Sequence, residues 1–124
     1  MHVEFSEAGG VEGARQVLTG RATGVYASSL AQAIGVLHGA RELGISVPAD
    51  VSVIGNDDFP IAGYLAPPLT TVAMPLRELG RSGVDVLVNQ LEGREPEDLS
   101  CQQPSTWSIA HRPRRRLIGG PPAG

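Results

Sequence analysis

Lysine is absent from this sequence, cysteine occurs once, and aromatic residues make up only 4% of it. Without lysine there is no G-x-x-x-x-G-K-[ST] loop to cradle a nucleotide phosphate. With Cys101 alone no internal disulfide is possible, which fits a reducing compartment. One cysteine and three scattered histidines, His2, His38 and His111, offer no paired spacing for a metal, so neither a metal nor a cofactor is expected. No apolar run approaches the ~20 residues of a membrane span. The opening MHVEFSEAGG has neither the basic nor the apolar segment of a secretion signal, so a cytoplasmic domain is expected. The net charge of −3 argues against general affinity for nucleic acid or anionic membrane.

What is present is an ordinary globular composition, 41% hydrophobic over 124 residues, enough for one domain with a core. HVEF (2–5) reads as a short strand. EAGGVEGARQVL (7–18) carries Val11, Ala14, Val17 and Leu18 at helical spacing. ATGVYA (22–27) reads as a second strand, and Ser29 with Gln32 fits the capping box of the next helix. That helix, LAQAIGVLHGARELG, has two apolar rows and is expected to be buried on more than one side, with Gly44 as its left-handed stop. VSVIG (51–55) is a continuous apolar run typical of a parallel strand covered on both faces. FPIAGYLAPPL (59–69) reads as loop and LTTV (69–72) as a short extended piece. Pro75 is placed as the first residue of a helix whose stripe is Leu76, Leu79, Val84, Leu87 and Leu91. A polar loop, a last strand STWSIAH (105–111) and an arginine-rich tail close the chain. Alternation of strand and helix predicts an α/β fold, a mainly parallel sheet with flanking helices.

The apolar strand 51–55 runs into Asn56, Asp57 and Asp58. Adjacent carboxylates belong at an exposed rim, and open α/β sheets hold ligands outside the carboxyl ends of their strands. Ser28 and Ser29 end the preceding strand in the same way, so both pairs are candidates for one crevice, with an Asx turn as the alternative for the aspartates. Ser28 lacks the glycines of a nucleophile elbow and a histidine placed beside it, so an enzyme is not expected. Gly9, Gly10 and Gly13 mimic a dinucleotide fingerprint, but no acidic residue lies between Glu12 and Glu42, which leaves turn and helix-start roles for them. Arg112, Arg114, Arg115 and Arg116 read as a solvated tail, and Trp107 as packed in or beside the sheet.

VPADVSVIGNDD and PPLTTV, in this order and at this spacing, resemble the C-terminal part of the effector-binding domain of LacI/GalR-type bacterial transcriptional repressors. The resemblance runs from about Phe5 to Trp107. It implies half of a two-lobed periplasmic-binding-protein-like domain in residues 1–112, with 69–93 the crossover segment and helix that pack on an N-terminal subdomain, and 113–124 a flexible tail. It places Asp57 in the cleft as a hydrogen-bonding partner of a sugar or nucleobase effector. Ser28 and Ser29 fall where the family has Asn and Asp, a departure that replaces an amide's paired donor and acceptor with a shorter hydroxyl. Dimer contacts are implied at Leu30, Ile34 and Tyr64. The family's helix-turn-helix and N-terminal subdomain have no counterpart here, so operator DNA would be bound only through them. An uncovered Leu76–Leu91 stripe is then expected to drive self-association. The alternative is a fragment of a sugar-binding protein of a transport system, which shares the architecture.

Overall fold

A computed structural model describes residues 2–95 and 105–109. Its order is helix α1 (Glu7–Leu18), strand β1 (Gly24–Ala27), helix α2 (Leu30–Glu42), strand β2 (Ser52–Asn56), a 3-10 turn (Pro60–Tyr64), strand β3 (Thr70–Ala73), helix α3 (Leu76–Leu91) and strand β4 (Thr106–Ser108).

Each helix start has a local cause. Ser6 Oγ accepts from the Gly9 amide and opens α1, and Ser29 Oγ accepts from the Gln32 amide and opens α2. Gly44, at φ +69°, closes α2, with the Ile45 amide reaching back to the Ala40 carbonyl as a helix stop of this kind requires. Pro75 lies one residue outside α3 rather than first within it. Its φ of −77° and ψ of 60° form an inverse γ-turn, closed by the Leu76 amide on the Met74 carbonyl.

Strands β1, β2 and β3 pair in sequence order and in parallel, and β4 adds antiparallel to β3, with Trp107 opposite Val72. Helix α2 covers this sheet. Ala33, Val36, Leu37 and Ala40 are buried with Val51, Val53 and Leu69 from the strand side. Helix α1 also packs along α2, so α2 is buried against both the sheet and α1, as its double apolar row predicts. Burying a leucine or valine of this kind stabilises by about 1.5–3 kcal/mol.

The glycines of α1 do not form a turn. Gly9, Gly10 and Gly13 lie inside the helix and are buried against α2. A Cβ on Gly10 would stand 2.2 Å from the Gln32 carbonyl oxygen, and one on Gly35 would stand 2.0 Å from that of Glu7. The two helices therefore meet backbone to backbone, and only glycine permits it.

Two further expectations change. Residues 2–5 form no strand, and the Glu4 carbonyl accepts from the Gln32 side chain at 3.0 Å. A cavity of ≈ 460 Å³ remains along the outer edge of β1, lined by Val3, Phe5 and Tyr26 among others. The segment 59–69 is not all loop. Pro60 sits in the first turn of a 3-10 helix, and Ala62 binds the Phe59 carbonyl and accepts from the Leu69 amide.

Helix α3 buries none of its residues. Leu76, Leu79, Val84, Leu87, Val88 and Leu91 are all exposed, Leu91 by 80%. Cys101, the polar loop over 96–104, His111 and the arginine tail lie outside the described residues. No described helix is long and apolar enough to cross a membrane.

Candidate ligand-binding rim

Because β1, β2 and β3 are parallel neighbours, their carboxyl ends fall along one edge. Ala27 stands beside Gly55, and Asn56 beside Val72. The residues that follow, Ser28, Asp57 and Met74, share that edge.

Asp57 occupies the left-handed region at φ +71°, and its amide donates to the Val72 carbonyl at 3.1 Å. Among the described residues it is the one non-glycine residue with positive φ. An L-residue there costs roughly 1–2 kcal/mol, which aspartate tolerates better than most. Backbone strain held by its surroundings is a feature of functional sites. The Asp57 side chain is half-buried, and the Asn56 amide nitrogen approaches its Oδ1 at 3.4 Å and the Met74 sulfur at 3.6 Å.

Asp58 has a different part. Thr71, wholly buried, donates from Oγ1 to Asp58 Oδ1 at 2.7 Å. This bond ties the segment after β2 to the middle of β3, so Asp58 fastens the turn that carries Asp57.

The two serines also divide. Ser29 is 3% exposed, and its hydroxyl is spent on the α2 cap. Ser28 is exposed and donates to Gln32 Oε1 at 2.7 Å. Only half of the expected capping box forms. The Gln32 side chain does not return to the cap but bridges Ser28 and the Glu4 carbonyl, because both partners lie on its own side of the α1–α2 contact.

Thr71 and Met74 were not singled out by sequence reasoning, and Gln32 only as the partner of Ser29 in the helix cap. For Gln32 the available signal was its place four residues after Ser28 on a helix otherwise apolar on that side. Thr71 reads as one more β-branched strand residue, and only its register against Asp58 distinguishes it.

Of the residues implied as dimer contacts, Leu30 is 6% exposed and belongs to the core cluster, leaving it little surface. Ile34 is half-buried against that cluster, and Tyr64 is 86% exposed. Among the described residues no three His, Cys, Asp or Glu side chains gather as metal ligands.

Parallel strands covered by a helix, with polar side chains at their carboxyl ends, form the edge at which open α/β sheets hold ligands. Residues 2–111 match the periplasmic binding protein-like domain family, and the chain belongs to it. More narrowly, it is similar to part of the effector-binding domain of LacI/GalR-type transcriptional regulators. It is 41% identical over 85 residues to the HTH-type transcriptional regulator MalR of Streptomyces coelicolor, a match covering 68% of this chain and 25% of that protein. It is 37% identical over 90 residues to the ribose operon repressor of Escherichia coli, covering 71% and 27%. A LacI family transcriptional regulator from Enterococcus faecium, solved with bound ribose, superposes with a TM-score of 0.74 at 34% identity, covering 86% of this chain and 40% of that one. The chain thus spans about a quarter of the length of the curated relatives it matches. The transporter alternative is not favoured.

Proposed function

We infer that this chain contributes one wall of an effector site in a transcriptional regulator, with Asp57 as its polar anchor and Ser28 beside it. The observation that carries this is the left-handed Asp57, held by its amide on Val72 at the edge shared with Ser28. The effector is a sugar or nucleobase-like molecule, a choice supported by the bound ribose of the Enterococcus relative. Ser29 serves this site through the α2 cap rather than by touching the ligand.

Residues 1–112 are the portion of the effector-binding domain, 69–93 the crossover segment whose helix packs on an N-terminal subdomain, and 113–124 a tail. Operator DNA is bound by sequence outside these residues. Effector binding favours one closure of the two subdomains over another and so biases operator affinity. The protein works in the cytoplasm, self-associates and is not an enzyme.

Isothermal titration of the complete regulator, with both subdomains present, against ribose, other sugars and nucleobases tests this reading. Asp57→Ala is expected to weaken the binding found by about 1.5–3 kcal/mol for each charged hydrogen bond lost. Unchanged affinity in that variant removes Asp57 from the site.

A further inference from the structure

The orientation of the Gln32 amide fixes the direction of every hydrogen bond around Ser28. The Glu4 carbonyl can only accept, so the Gln32 nitrogen faces it, at 3.0 Å. Gln32 Oε1 therefore faces Ser28, and an amide oxygen can only accept, so the bond of 2.7 Å carries the Ser28 proton. Gln32 is 8% exposed, pinned at its own amide by Ser29, and its chain runs between α1 and α2. It cannot turn over without orphaning the Glu4 carbonyl.

Ser28 is exposed, and with its proton spent inward only its lone pairs are left for the crevice. Asp57 adds two carboxylate oxygens, acceptors both. The Asn56 nitrogen is turned to Asp57 Oδ1 and the Met74 sulfur, which leaves its oxygen as the unengaged end. We propose that Gln32 is the positioning residue that makes Ser28, next to Asp57 on this rim, a hydrogen-bond acceptor, selecting ligands that present hydroxyl or N–H donors over phosphorylated ones.

One feature opposes this. The N-terminus of α2 lies beside Ser28 and attracts anions, with an effective charge of roughly half a proton. The full carboxylate charge of Asp57 on the same edge outweighs it, and Asp58 adds a second.

The proposal rests on the effector-site reading. Its test uses calorimetry on the complete regulator, with both subdomains present, titrating ribose and glucose, each against its phosphate ester. The expected result is that the free sugar binds about tenfold or more tighter than the ester, the size of one charged hydrogen bond gained or denied. Gln32→Leu releases the Ser28 proton and should narrow that ratio severalfold. In a Ser28→Ala background the same substitution should leave the ratio where it is. A purely structural Gln32 would lower Tm in both backgrounds and move the ratio in neither, which overturns the proposal. Ser28→Ala alone, at an exposed site, keeps the test open if Gln32→Leu fails to fold. It should weaken the free sugar several-fold, and an unchanged affinity overturns the proposal. Preference of the unmutated chain for the ester overturns this inference and leaves the effector site standing. Failure to bind either sugar or either ester overturns this inference, and the effector-site reading falls with it only if the wider panel of sugars and nucleobases fails to bind as well.

Discussion

The hydroxyl of Thr71 reaches Asp58 across 2.7 Å, from a side chain with no solvent exposure to one at the surface. Of two neighbouring carboxylates, one is thereby drawn back onto β3, while Asp57 stays at the rim. Thr71→Val keeps the shape and removes the bond. The expected loss is about 0.5–1.5 kcal/mol, since water can reach the exposed Asp58 and replace part of it. Urea unfolding measures this, and Thr71→Ser should recover much of the difference.

The left-handed backbone of Asp57 separates two effects that one alanine variant confounds. Asp57→Gly relieves the φ of +71°, whereas Asp57→Ala keeps the strain without the side chain that tolerates it. The glycine variant should be more stable than the alanine variant by about 1 kcal/mol. Both should bind effector equally poorly. Thermal melts beside calorimetry separate the two.

The α1–α2 contact predicts a sharp intolerance. Gly35→Ala brings a methyl to 2.0 Å from a backbone oxygen, which no side-chain rotation relieves. The two helices must part, at about 3 kcal/mol or more, the upper end of overpacking costs. Since Gln32 holds the Glu4 carbonyl across the same contact, ordering near Ser28 should fall too, seen as faster amide exchange at Glu4 and Gln32.

Helix α3 predicts the opposite. Leu87 is 56% exposed, so Leu87→Gln should change the unfolding free energy of this chain by no more than about 0.5 kcal/mol. It should nevertheless reduce the proposed self-association, read by light scattering, because the stripe it interrupts is exposed apolar surface that no described residue buries. A monomeric parent chain with no affinity for apolar dyes would contradict the expectation of self-association.

Much of the fold was legible along the chain because its causes are local. The Ser29 cap, the Gly44 stop, the double apolar row of α2 and the continuous run into β2 each announce themselves within a turn or a strand. So does the family resemblance, which lives in short runs such as VSVIGNDD and PPLTT. Asp57 was legible as a rim residue for the same reason.

What the tertiary structure decided involves partners distant in sequence. The glycines of α1 read as turn or helix-start residues, and only with α2 lying across them do they become the backbone contact between two helices. HVEF has the composition of a strand, but Glu4 is claimed by Gln32, 28 residues away. Residue type and position alone do not separate Asp57 from Asp58; the resemblance singles out Asp57, and Thr71, 13 residues further on, shows what holds Asp58. Periodicity and capping record what a residue does to its own helix or strand. Hydrogen-bond direction and close backbone approach depend on which second element arrives opposite, and that is set only when the chain packs.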